Sequence, residues 1–152
     1  MTAAGAAMDS PFRPQNLPAR RRWTINGRFL TQPVTGVQRY GREIVQALDV
    51  LLAAGHPLGQ GLDIEMLVPP AAMSLPTLRA ITVRRVGRLA GQGWEQAELP
   101  LHAHGAILSL CNTGALLRRR QIVCMHDTSV WDYPSSYAVP FRLLYRTLLP
   151  RL

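Results

Sequence analysis

Residues 121–132, QIVCMHDTSVWD, decide how the chain is read. Ile122, Val123, Cys124 and Met125 make a short unbroken apolar run with a β-branched start and a polar exit, which predicts a strand buried on both faces of a parallel sheet. His126 and Asp127 follow at once. In open α/β sheets ligands bind beyond the carboxyl ends of the strands, so this pair stands where chemistry is commonly placed. A histidine that only ends the strand and hydrogen-bonds a neighbouring loop explains the same pattern, and the stretch alone leaves both readings open.

Working outward, residues 106–110, AILSL, predict a neighbouring strand that delivers Cys111, Asn112, Thr113 and Gly114 beside His126. Downstream, Trp131, Tyr133 and Pro134 read as loop, and residues 137–149 place Phe141, Leu144, Tyr145 and Leu148 at helical spacing, a stripe that suits core. Towards the amino terminus, residues 63–68 and 81–86 predict two more strands, separated by loop and a short helix over 71–80. Residues 94–99 suggest a short helix that Pro100 ends or bends.

The clearest helix covers residues 37–52. Val37, Tyr40, Gly41, Ile44, Val45, Leu48, Leu51 and Leu52 share one face, with Gln38, Arg39, Arg42, Glu43, Gln46 and Asp49 opposite. Thr35 can cap its start, and Gly55 with Pro57 supplies its stop. Residues 23–30, WTINGRFL, alternate as a first strand before it. Strand, glycine turn and helix together make an arrangement in which Gly36 lets a phosphate approach the helix amides, although ordinary turn chemistry also accounts for one glycine there. Strands alternating with helices or long crossovers predict a doubly wound α/β sheet.

Composition narrows the alternatives. A chain of 152 residues with 47% hydrophobic content suits one globular domain. The net charge of +8 comes from arginine alone, since the chain has no lysine. Residues 1–22, rich in Ala and Pro and ending in three arginines, predict a disordered basic leader. Cys111 and Cys124 lack the spacing and partners of a zinc site and read as free thiols. No apolar run approaches the roughly 20 residues of a membrane span, and no secretory signal is visible, so the expectation is a cytoplasmic protein.

Three stretches, taken together, resemble a known family: Pro33 to Tyr40 (PVTGVQRY), Trp94-Glu95-Gln96 with Leu99-Pro100, and Val123 to Asp127 followed by Pro134, Phe141, Tyr145 and Pro150. In order and spacing they look like the amino-terminal half of the group 1 (family 4) glycosyltransferases, retaining two-domain GT-B enzymes, and most like the mannosyltransferase-type members of polysaccharide biosynthesis. The resemblance runs over residues 23–152. It implies a Rossmann-like domain that holds the acceptor, while a second domain grips the nucleotide-sugar. It further implies that Gly36 and Arg39 face the donor diphosphate, and that His126 and Asp127 serve catalysis beside the transferred sugar. Asn112 and Glu95 would line the cleft or touch the acceptor. No metal and no cofactor beyond the nucleotide-sugar substrate is implied, and the chain would be a fragment, inactive alone.

The arginine clusters keep two other functions in view. Arg20 to Arg22, Arg84, Arg85 and Arg88, and Arg118 to Arg120 could hold nucleic acid or an anionic membrane. The chain carries no nucleic-acid-binding signature, so no nucleic-acid partner is expected, whereas a lipid-linked acceptor would bring the protein to the inner face of a membrane. A non-catalytic half-domain that serves as an interaction surface is the other alternative.

Overall fold

The computed structural model describes residues 20–127 and 129–151. Most of the expected leader lies outside the described residues, but Arg21 and Arg22 already belong to the first strand. The elements are β1 (Arg21–Asn26), α1 (Gly36–Ala53), β2 (Leu62–Val68), β3 (Thr82–Arg85), α2 (Gly91–Gly93), α3 (Leu99–His102), β4 (Ala106–Ser109), β5 (Gln121–Val123), α4 (Ser129–Asp132) and α5 (Val139–Leu148). A π-helical turn, Trp94–Glu98, joins α2 to α3, so the helix does not end at Pro100 but runs on through it, with its winding altered just before the proline.

All strand pairs are parallel and the sheet runs β3-β2-β1-β4-β5. The fold is therefore a Rossmann-like α/β sheet. Its order proceeds one way from β1 to β3 and the other way through β4 to β5, which opens a crevice at the carboxyl ends of β1 and β4.

Alternation along the strands builds a core on each face. Ile25, Ile64, Met66 and Val68 pack with Phe29 and with Val45 of α1 on one side. Leu67 and Ile107 pack with Trp94, Leu99 and Ala103 on the other. α1 forms over the expected stretch, although Tyr40, Ile44 and Leu51 of its expected inner face are exposed, and Gln38 accepts the Thr35 backbone N–H at 3.2 Å to close its first turn.

Four expectations need correction. Asp49, assigned to the outer face of α1, is only 1% exposed, because its carboxylate collects the backbone N–H groups of Arg79, Ala80 and Ile81 at 2.8 to 3.0 Å. Those donors come from the crossover over 71–80, which contains no helix and is held down by this contact instead. The apolar run at 122–125 is not buried on both faces: β5 pairs only with β4 among the described residues, and Ile122 and Met125 are about half exposed. The stripe on α5 is only partly core, with Leu148 buried but Phe141 and Leu144 open to solvent.

β1 is shorter than its alternating pattern. After Asn26 the chain tightens into a 3-10 turn, Gly27–Thr31, begun by the Arg28 N–H donating to Asn26 Oδ1 at 3.2 Å. A Cβ on Gly27 would fall 2.5 Å from the Leu67 carbonyl oxygen and closer still to Val68 Cγ1, so only glycine lets the turn lie on β2. Among the described residues no helix is long and apolar enough to cross a membrane.

Candidate functional site

The crevice between β1 and β4 has a buried polar floor. Glu95, carried by the π-helical turn, is 1% exposed, and its Oε1 accepts from Asn26 Nδ2 at 2.6 Å and from the Thr113 hydroxyl at 3.0 Å. Arg28 Nε lies 3.1 Å from the same oxygen, an ion-pair approach without hydrogen-bond alignment, while its Nη2 donates to Thr113 Oγ1 at 2.6 Å. Asn26 Nδ2 also reaches Ser109 Oγ at 3.1 Å. One side chain from each wall of the crevice thus meets at Glu95. Its Oε2 is buried with no hydrogen-bond partner among the described residues, beside a cavity of about 10 Å³, room for about one water molecule.

His126 stands above this floor. Its backbone N–H donates to Asn112 Oδ1 at 2.7 Å, and its Nε2 lies 2.8 Å from the Leu110 carbonyl oxygen. A carbonyl can only accept, so Nε2 carries the proton and, in the neutral ring, Nδ1 is left as an acceptor. Tyr40, on the first turns of α1, meets the imidazole edge to face with centroids 4.7 Å apart. Asn112 adopts the left-handed conformation at φ 62°, which asparagine tolerates better than most residues, and its own N–H donates to the Cys124 carbonyl at 3.0 Å. The loops after β4 and β5 are thereby stitched together, with His126 at the seam.

A second cavity of about 100 Å³ adjoins it, lined by Asn112, Asp127 and the ring stack of Tyr137, just before α5, with Phe141 and Tyr145 on α5. Burial raises the Tyr145 pKa against the opposing pull of the neighbouring Arg28. Burial also pushes the Cys111 thiol up to about 11, against the opposing pull of Arg28, so this thiol stays protonated at neutral pH.

The chain matches no family model, no curated protein and no solved structure. The site is accordingly judged on its geometry.

Of the expected site residues, Asn112 and Asp127 line one cavity, His126 is bonded to Asn112 without lining it, and Glu95 lies in the separate polar floor. Gly36 and Arg39 stand on the exposed start of α1, whose Tyr40 touches His126 and whose Val37 carbonyl lies 3.5 Å from Cys111 Sγ. Gly36 has no positive φ, and a Cβ there would meet open space, so its backbone tolerates other residues. In sequence, Asn26 and Arg28 read only as part of the first strand, and Thr113, Tyr40 and Tyr145 only as loop, helix-face or motif residues, since the partners that bring them to the site lie far along the chain.

Several arginines of the three clusters are occupied internally. Arg22 pairs with Asp63, Arg84 with Glu65, Arg85 donates to the Ala72 carbonyl, and Arg118 donates to the Gly105 carbonyl. Among the described residues no three His, Cys, Asp or Glu side chains converge as a metal site.

Proposed function

We propose that this chain forms the acceptor-side wall of a retaining glycosyltransferase that moves a sugar from a nucleotide-sugar to a saccharide or lipid-linked acceptor. The observation that carries the reading is the placement of His126, held by Leu110 and Asn112 at the carboxyl edge of a parallel sheet and next to the amino end of α1. The order of the three family-like stretches supports it, because all three border this crevice.

In this reading the glycosyl–phosphate bond breaks, a bond forms to the acceptor oxygen, and the acceptor proton passes to the departing diphosphate. His126 meets a sugar hydroxyl through Nδ1, the ring nitrogen not engaged with Leu110, and so orients the ring. The amides after Gly36, with Arg39, receive the diphosphate. Asn112 positions His126, and Glu95 with Arg28 keeps the floor rigid.

The crevice does not enclose a donor by itself. Ligand sites that bury a comparable molecule run to roughly 300–1,000 Å³, whereas the cavities here are about 100 Å³ and 10 Å³. A second wall must close over it to hold the reactants together and exclude water. An acceptor on a lipid carrier would draw the exposed Arg20, Arg119 and Arg120 to an anionic surface.

The test is transfer from a panel of nucleotide-sugars to saccharide and lipid-linked acceptors, by the chain alone and by the chain joined to the donor-binding half of a family 4 enzyme. Transfer only in the joined protein is expected. Transfer in neither, with both proteins folded, would overturn the reading.

A further inference from the structure

A break in the close packing of the main core lies away from His126, on the other flank of α1. A cavity of about 220 Å³ opens there, floored by Phe29, Val45 and Met66, each nearly or fully buried, and roofed by Leu78 from the crossover. Arg42, Glu43 and Gln46 stand at its mouth. The Nε of Arg42 is shielded from solvent and has no hydrogen-bond partner, and Arg42 makes no ion pair, among the described residues. A guanidinium in that position seeks an acceptor, and a carboxylate fits its planar fork best.

From these observations we infer a small-molecule site for an apolar carboxylate, an aromatic or branched aliphatic acid, with its carboxylate on Arg42 and its hydrocarbon part against Phe29, Val45, Met66 and Leu78. Size agrees: a dry apolar cavity of roughly 150 Å³ accepts a benzene ring, and about 220 Å³ leaves room for a ring and its carboxylate. Glu43 beside Arg42 limits how many negative charges the ligand can carry and favours a monoanion over a phosphate. An acid with an α-ammonium group could pair with Glu43 as well, so amino acids and simple acids share the required chemistry. The site is independent of glycosyl transfer, because none of its residues except Phe29 borders the His126 crevice.

Calorimetric titration of the folded chain with benzoate, 4-methylpentanoate, phenylalanine, benzyl alcohol and inorganic phosphate tests it. Benzoate or 4-methylpentanoate should bind, with benzyl alcohol weaker by about tenfold or more, the loss expected for a charge-assisted hydrogen bond. Phenylalanine binding more tightly than the simple acids would assign the ammonium partner to Glu43, and binding no tighter would leave the carboxylate as the recognised group; both support the site. Arg42→Gln, at a partly exposed position, should abolish the preference for benzoate over benzyl alcohol, and Gln46→Trp should block all of the ligands at the mouth. Equal binding of benzoate and benzyl alcohol, phosphate binding as tightly as benzoate, or no binding of any acid by the folded chain would overturn the inference.

Discussion

Arg28→Met gives the sharpest test of how the crevice is held. The substitution keeps most of the side-chain volume but removes the cation beside Glu95, a carboxylate that is 1% exposed. Breaking a buried ion pair by removing one partner costs about 3–5 kcal/mol, because the remaining charge stays buried. Glu95 Oε1 would still accept from Asn26 and Thr113, which places the cost near the lower end, about 3 kcal/mol. A domain of this size has about 5–15 kcal/mol in total, so the variant should fold with a greatly reduced margin. In urea, with a slope of about 2 kcal/mol per molar, the midpoint should fall by about 1.5 M. Glu95→Leu alone should cost a comparable amount, yet the double variant Arg28→Met/Glu95→Leu should recover about 1–3 kcal/mol of the summed loss, because an apolar pair replaces the ionic one. Additive losses in the cycle, or a loss below about 0.5 kcal/mol for Arg28→Met, would show that the two groups do not depend on each other.

Asp49→Ala should lower stability by about 2–3 kcal/mol, chiefly through the buried N–H of Ile81 left without an acceptor, and loosen the 71–80 crossover in hydrogen exchange. Burial alone would raise the Asp49 pKa, but the N–H groups of Arg79, Ala80 and Ile81 outweigh it and hold the value down. Its contribution is therefore present above the ordinary carboxyl pKa of about 3.9 and is lost as pH falls through the lower folded value, so acid unfolding of Asp49→Asn should depend less on pH than that of the unaltered protein. Cys111, with its pKa at about 11, should react with iodoacetamide at pH 8 roughly two orders of magnitude more slowly in the folded chain than in urea, as read by mass spectrometry. Gly27→Ala should cost about 1–3 kcal/mol because its Cβ meets the Leu67 carbonyl, whereas Gly36→Ala should leave the urea midpoint unchanged.

What could be read from the chain followed periodicity. α1 declared itself because its apolar residues recur at helical spacing over five turns, and the strands stood out as short β-branched runs between turn residues. Periodicity sorts residues by polarity, however, and it failed where a polar group is buried by partners remote in sequence. Asp49 looked like a solvated residue because its donors lie about thirty residues further on. Glu95 drew notice only as part of a motif, and its tie to Arg28 connects segments that share no local pattern. The burial of β5 was overstated for a related reason, since an apolar run does not say whether another strand lies beyond it. His126 was visible because it follows an apolar run directly, although the strand itself ends at Val123, and the Leu110 carbonyl that sets its tautomer was not visible, since a backbone acceptor leaves no mark in sequence.

The most direct measurement of the proposed role is the rate of sugar transfer by His126→Ala in the chain joined to a donor-binding half, with urea unfolding run in parallel. The account predicts a fall of roughly two to three orders of magnitude in turnover, the range seen when a preorganised polar group at the reacting centre is removed, with the unfolding midpoint little changed. An unaltered rate in a folded variant would contradict it.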